Sequence, residues 1–256
     1  MSPEKRVRID AFAEGVWRCR DYEAIVCVDV ITAGTTLVTS MALGRRTFSL
    51  SPTELPTGPR DSLRMSDVEL MAGADEHALG PRDLHQRTDH ERPLALRSKL
   101  SELLGAAPND RSLYVACLRN LSATVTHLAG HHERVAIVAA GFGGEARFED
   151  EMAAAWIAED LRGWAFRPED RATALAIDRW AQGEVGLIGL GRSAERLRTQ
   201  GLHADLAFIL EHVDDVRIPC QVNGNEISAA VPAAERALEL EAALSQTSRF
   251  VGRRAS

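Results

Sequence analysis

An aspartate, Asp29, closes the apolar run Ile25-Val-Cys-Val28, and a small, hydroxyl-rich turn follows it: Thr32-Ala33-Gly34-Thr35-Thr36. A run of this kind reads as a strand buried on both faces. A carboxylate does not belong there for packing reasons, because burying it unpaired is costly. Asp29 therefore stands at the strand's end, is paired, or binds something. Two more acidic pairs fall at expected strand ends or helix starts, Asp75-Glu76 and Glu149-Asp150. In a parallel sheet the C-terminal ends of the strands share one edge, and ligands bind there. Carboxylates converging on that edge suit Mg²⁺, which takes one or two of them together with waters and phosphate oxygens. The hydroxyls of Thr35 and Thr36 stand where a helix N-terminus would meet an anion. Glu149 and Asp150 also have a capping reading, since acids in a helix's first turn stabilise its dipole by about 0.3–1 kcal/mol.

Other chemistries leave weaker traces. Gly141-Phe-Gly143-Gly144 follows a strand, and Gly189-Leu-Gly191-Arg-Ser-Ala194 has the form G-x-G-x-x-A, but neither completes a dinucleotide fingerprint. There is no P-loop, no H-E-x-x-H and no G-x-S-x-G segment. His131-His132 and the pair His85 and His90 read as solvated loop residues. Cys19, Cys27, Cys117 and Cys220 are isolated, which suits buried free thiols.

The elements that must position the acids follow from periodicity. Strands are expected at Arg6–Phe12 (an edge strand), Ile25–Val30, Arg45–Leu50, Val68–Ala72, Ser112–Leu118 and Arg134–Ala140. Helices are expected at Leu37–Gly44, Leu94–Gly105, Ser122–Ala129, Glu149–Arg162, Ala172–Ala181, Ser193–Gln200 and Ala233–Ser245. Val185–Leu190 fits a strand or the tight end of a helix, and Asp205–Leu210 is apolar enough for a strand. Asn223-Gly224 marks a hairpin joining Val216–Val222 to Ile227–Val231. Residues 79–93 form a polar surface loop, and 249–256 a frayed C-terminus. Alternating strands and helices give an α/β class. The expected fold is a three-layer α/β/α arrangement over residues 1–256, as one domain or two lobes. Its sheet is mixed and largely parallel, with a C-terminal antiparallel hairpin.

The formal net charge of −7 argues against nucleic acid as a partner. No apolar run reaches the roughly 18–20 residues of a membrane span, and no apolar signal core follows the first residues. A cytoplasmic protein with no membrane partner is expected.

Taken in order, these segments resemble the 2-phosphosulfolactate phosphatase family of coenzyme M biosynthesis. The family's V-x-I-D-V-[LF]-R-A-[TS]-[TS]-T motif is similar to Val26–Thr36, its A-G-E segment to Ala72–Glu76, and its L-x-N-A strand end to Leu118–Ala123. Its C-A-G-x-x-G and E-D-x-x-C-A-G segments are similar to Ala139–Gly144 and Glu149–Ala154. The resemblance implies a Mg²⁺-dependent phosphatase acting on a small phosphorylated or anionic substrate, and a homo-oligomer, expected to be a dimer. It implies Asp29, Glu149 and Asp150 as catalytic acids, and Asp29 with Glu76 at the metal. Thr35, Thr36, Arg119, Asn120 and Gly141 would bind substrate. The sequence departs from the pattern where Thr32 replaces the family's arginine, where Ala139 and Ala153 replace its cysteines, and where Arg82–Leu96 replaces its G-N-S-P and T-T-N-G-T segments. Arg97, Arg119 and Arg147 are candidates for the missing cation. Two alternatives remain open: the same fold with a changed reaction in a specialised pathway, and a non-catalytic ligand-binding protein.

Overall fold

The structure, a computed structural model, describes residues 4–51, 53–56, 64–72, 80–141 and 144–230. In chain order its elements are β1 (Arg6–Ala11), α1 (Phe12–Arg18), β2 (Ala24–Val28), α2 (Ala33–Ala42), β3 (Thr47–Ser49), β4 (Glu69–Ala72), α3 (Pro81–Gln86), β5 (Leu94–Arg97) and α4 (Lys99–Gly105). There follow β6 (Ser112–Ala116), α5 (Leu121–His131), β7 (Arg134–Ala139), α6 (Phe148–Arg162), β8 (Arg167–Pro168), α7 (Arg171–Trp180), α8 (Val185–Ile188), α9 (Arg192–Thr199), α10 (His203–Glu211), β9 (Cys220–Asn223) and β10 (Glu226–Ala229).

The strands form one sheet in the order β4-β5-β3-β10-β9-β6-β2-β7-β1-β8. Strands β6, β2, β7, β1 and β8 are mutually parallel, and so are β3, β5 and β4. The β9–β10 hairpin pairs antiparallel to β6 on one side and to β3 on the other. It therefore lies in the middle of the sheet and joins two parallel blocks of opposite direction.

Alternation along the strands sorts the core into two layers. Val26, Val28, Tyr114, Ala116, Val135 and Ile137 pack with residues of α5 to α10. Ile25, Cys27, Leu113, Val115, Ala136 and Val138 pack with residues of α1 to α4. All five residues of β2 are buried, as a strand covered on both faces requires. The three-layer α/β/α fold with a mixed sheet is thus observed. All four cysteines are free and buried.

Several local expectations are corrected. Strand β1 is not at the edge; it lies between β7 and the two-residue β8. The polar stretch 79–93 contains α3, which starts at Pro81, buries Leu84 and packs against both α2 and α10. A proline at the first helical position is a start signal that the surrounding charges obscured. The helix expected over Leu94–Gly105 is a strand followed by a helix. Leu94–Leu96 are buried and pair with β3 and β4, and the Ser98 N–H then donates to Ser101 Oγ (3.2 Å) at the start of α4. Asp205–Leu210 is helical, with Leu206, Phe208 and Ile209 buried and Ala207 exposed. A short apolar run does not by itself distinguish the two conformations. Val185–Ile188 is helical as well. The expected helix at Ala233–Ser245, the frayed 249–256 and the acids Asp75 and Glu76 lie outside the described residues. Among the described residues no helix is long and apolar enough to cross a membrane.

Candidate active site

Strand β2 lies between β6 and β7, and the chain leaves these three strand ends in opposite directions. After β2 it enters α2 in one layer; after β6 and β7 it enters α5 and α6 in the other. Such a divergence opens a crevice at the C-terminal edge of the sheet, where α/β proteins bind ligands. Asp29 sits at its floor, 8% exposed, and its own N–H continues the ladder to the Ala116 carbonyl (3.2 Å).

Local sequence explains how Asp29 is held. Its Oδ1 accepts the Gly34 N–H (3.2 Å), and the amides of Thr32 and Ala33 also favour its charged form. The carboxylate thus lies on the N-terminus of α2, where partial positive charge gathers. Gly34 is the residue that permits this. A Cβ there would stand 2.1 Å from the Asp29 carbonyl oxygen, so the first turn of α2 rests directly on the strand end. Burial outweighs these amides, and the nearby charge of Glu149 adds to it, so the Asp29 carboxyl is pushed up to about 7.

Asp150, in the first turn of α6, joins two strand ends. Its Oδ1 accepts the Val30 N–H (2.9 Å) after β2, and its Oδ2 accepts the Gly141 N–H (3.1 Å) after β7. Burial first, then the charge of Asp29, raises its carboxyl well above the usual range. Gly141 has φ +63°, and a Cβ would stand 2.5 Å from the Phe12 ring and 2.7 Å from the Glu145 carbonyl oxygen. Phe12 itself has φ +64° at the end of β1. Positive φ at a non-glycine residue is a local strain of the kind that gathers at functional sites.

Glu149 differs from both aspartates. It is 1% exposed, yet neither carboxyl oxygen has a hydrogen-bond partner among the described residues. Its Oε2 is 2.8 Å from where a Cβ on Gly191 would stand, so the start of α9 forms one wall around it. Asp29, Glu149 and Asp150 form one buried acidic cluster, each acting electrostatically on another. Burial disfavours the charged forms of Asp29 and Asp150, which a cation in the cluster would offset.

The expected substrate-binding residues lie around the same sheet edge, with different freedom. The Thr35 hydroxyl donates to the Val30 carbonyl (2.8 Å). The Thr36 hydroxyl, also in a buried residue, has no partner among the described residues. Arg119, just past β6, donates from Nε and Nη2 to the two carboxylate oxygens of Asp215 (2.9 and 2.7 Å) and from Nη1 to Thr39 Oγ1 (2.8 Å). Its guanidinium also stacks on Phe208. Asn120 accepts the Cys117 N–H (3.0 Å) and donates to the Val115 carbonyl (3.1 Å), so its amide shapes the turn after β6. Glu76 lies outside the described residues.

Among the described residues no group of three or more His, Cys, Asp and Glu side chains is arranged to hold a metal. Within the cluster, the oxygens without a hydrogen bond among the described residues are those of Glu149, beside the Asp29 carboxylate. Such a hard-oxygen set fits an ion that takes one or two carboxylates and completes its shell with water and phosphate.

Sequence reasoning singled out Arg147 but missed Gly191, Phe12 and the Glu145 carboxylate that pairs with both Arg147 and Arg192 beside Gly141. The available signal was the Gly189-Leu-Gly191 turn. Its glycine makes room for Glu149, where a dinucleotide fingerprint would use it for a pyrophosphate.

A comparison with curated proteins finds no match. The family model of 2-phosphosulpholactate phosphatase matches residues 98–224, from α4 to β9. That stretch contains Arg119, Asn120, Gly141, Glu149 and Asp150, while Asp29, Thr35, Thr36 and Glu76 precede it. The chain belongs to the 2-phosphosulpholactate phosphatase family, a family of phosphoric monoester hydrolases.

Proposed function

We propose that the protein is a Mg²⁺-dependent phosphatase of a small phosphorylated acid, working at Asp29, Glu149 and Asp150. The observation that carries this reading is the Glu149 carboxyl, buried without a partner beside Asp29 at the crevice floor. An orphaned acid is costly to keep and has no packing purpose.

Asp29 and Glu149 would hold the ion. When bound, it supplies positive charge against the oxygens of the transferring phosphoryl group. The chain's own residues do the rest. Asp150 pins the ends of β2 and β7 through two backbone amides and so fixes the spacing of the other two acids. The α2 N-terminus and the Thr36 hydroxyl orient phosphoryl oxygens. The buried floor limits bulk water to the attacking molecule. In the net step water oxygen bonds to phosphorus, the ester P–O bond breaks, and the leaving alcohol oxygen takes up a proton through a site carboxyl. The products are the alcohol and inorganic phosphate.

A changed reaction on the same scaffold is the second reading. It is favoured by Thr32 at the position of the family arginine, and by Arg119 being engaged with Asp215 and Thr39.

Phosphate release from 2-phosphosulfolactate, 2-phospholactate and p-nitrophenyl phosphate, with and without Mg²⁺, tests the proposal for wild type and Asp29→Asn. Metal-stimulated release by wild type alone is expected. If none of the three esters is hydrolysed faster with metal, the phosphatase reading gives way to the second. Thermal melts give a readout independent of turnover: Mg²⁺ raises the wild-type Tm by ligand linkage, and the variant loses that shift.

A further inference from the structure

Away from the crevice, a buried tyrosine meets two histidines. Tyr114 of β6 is 2% exposed, and its hydroxyl lies 3.1 Å from His127 Nε2 and 2.8 Å from His132 Nε2. His127 lies near the end of α5, and His132 follows that helix just before β7. His131, the last residue of α5, bonds the His127 carbonyl through Nδ1 (2.8 Å) and stacks its ring on that of His127, centroids 4.2 Å apart. Of the pair expected to be solvated loop residues, only His131 is exposed; His132 is half-buried. The cluster ties the end of α5 and the start of β7 to the sheet.

Its hydrogen bonds close for one protonation state only. A tyrosine hydroxyl has one proton to give, so one ring accepts it and the other ring must donate to the tyrosine oxygen. With both rings neutral this is met: His127 donates from Nε2 and keeps a bare Nδ1, and His132 accepts. His127 Nδ1 is indeed buried with no partner among the described residues, in a residue 8% exposed. An added proton on His127 puts an N–H at that nitrogen, where nothing accepts it. An added proton on His132 makes its Nε2 a donor. Then either the tyrosine proton has no acceptor, or His127 shifts its own proton to Nδ1 and is orphaned in the same way. A buried donor left without a partner is costly. The charges acting on His127 among the described residues are those of His131 and His132; α6, which packs on α5, adds none. Glu23 acts on His132, and Ser112 on Tyr114. Lys5 Nζ donates to the Ala129 carbonyl (2.7 Å), and Glu23 accepts the Glu133 N–H (2.7 Å), so both hold the same corner from other elements. Burial first, then the charges of His131 and His132, pushes the His127 ring down to about 4.

We propose that Tyr114, His127 and His132 form an acid-sensitive latch, which holds the end of α5 to the sheet near neutral pH and releases it in mild acid. The proposal stands apart from the phosphatase reading. A local opening of the last turns of α5 lets the rings reach water and take up protons, so acid favours the open form. The folded His127 ring lies below the ordinary histidine value of about 6.5. Its support for the closed form is therefore full above that value and is lost as pH falls toward about 4. In whole-protein melts the raised Asp29 carboxyl gives the opposite slope, so the test reads α5 alone.

Amide hydrogen exchange of the full chain, corrected for the intrinsic rate at each pH, provides that reading. Between pH 7.5 and pH 5 the protection of residues 124–131 falls about tenfold or more, as the lowered His127 ring requires. His127→Gln keeps a donor for the Tyr114 oxygen and takes up no proton, so most of this fall disappears. His203→Gln, at an exposed histidine in α10, leaves the fall as it was. Protection that does not change with pH in wild type, or a fall that His127→Gln leaves intact, overturns the latch. An imidazole NMR titration of wild type needs no variant to fold. The His127 ring stays neutral at pH 6 while α5 is closed; a ring protonated at that pH with α5 still protected also overturns the proposal.

Discussion

Two charged groups lie buried at neighbouring strand ends of the same sheet. At the end of β6, Arg119 has a two-point pair with Asp215, a hydroxyl from Thr39 and an aromatic face from Phe208. At the ends of β2 and β7, three acids share a smaller space, with Glu149 unpartnered and both aspartates raised by burial. The first group is saturated by the chain itself, whereas the second is left short. A fold that saturates a buried charge gains a fixed geometry, and one that leaves it short keeps a binding capacity at the expense of stability. On the proposed reading, the contrast separates a structural charge from a functional one.

The most forceful way to break that contrast is to neutralise the acids. Glu149→Gln and Asp29→Asn each lower the phosphate-release rate by about 10²–10³, the loss typical of one preorganised electrostatic group. Neither variant melts below wild type, because each removes a carboxyl the fold does not need. A variant that loses activity and also melts well below wild type at pH 8 would move that acid to the structural side. Arg119→Ala should do the opposite. It removes a guanidinium that holds the turn after β6 to α2 and to Asp215, and costs about 1–3 kcal/mol, discounted because Asp215 is partly exposed. Denaturant unfolding reads this loss, with the acid cluster's response to Mg²⁺ unchanged below the new midpoint.

The contrast was only partly legible in the sequence. Asp29 could be found because a buried parallel strand carries a continuous apolar run, in which one acid stands out. Glu149 and Asp150 could be found as a pair, but not told apart. Their difference depends on two backbone amides at distant strand ends, Val30 and Gly141, that reach only Asp150. Nor could the sequence say that Arg119 is engaged, since Asp215 comes to it from the segment after α10. The fold class followed from alternation of strands and helices. The central place of the hairpin did not, because Asn223-Gly224 fixes the turn and not the strands that flank it. The stretches misread, 79–93, Leu94–Leu96 and Asp205–Leu210, are those whose conformation is decided by packing between α2, α3, α10 and the far block of the sheet.

A smaller effect sharpens the comparison through pH. The folded Asp29 carboxyl is raised from the ordinary carboxylate range to about 7. The native state therefore holds a proton over a range where the unfolded chain has lost it. Stability from this group is fully present below the unfolded value and is lost as pH rises through about 7. Wild type should melt lower at pH 8 than at pH 5.5, and Asp29→Asn should flatten that slope, raising Tm at pH 8 by about 3–6 °C. Mg²⁺ held at Asp29 as proposed would compete with the same proton, and its affinity would rise with pH through this window. If the slope survives unchanged in Asp29→Asn, the proton resides elsewhere in the cluster.

The smallest effects come from two adjacent threonines that repeat the contrast in miniature. The Thr35 hydroxyl is spent on the Val30 carbonyl at 2.8 Å, and the Thr36 hydroxyl has no partner among the described residues. Valine conserves the shape at each position while removing the hydroxyl. Thr35→Val leaves the Val30 carbonyl short of a donor and costs about 1 kcal/mol of stability, with little change in KM for the phosphate ester. Thr36→Val leaves stability nearly as it was, and lowers kcat/KM about threefold to tenfold through the loss of one hydrogen bond to a phosphoryl oxygen. The two measurements cross: unfolding free energy singles out Thr35, and turnover singles out Thr36. Equal losses of activity from both would mean that the whole first turn of α2 moves when either hydroxyl is removed. The division between saturated and unsaturated groups would then hold for the charges alone.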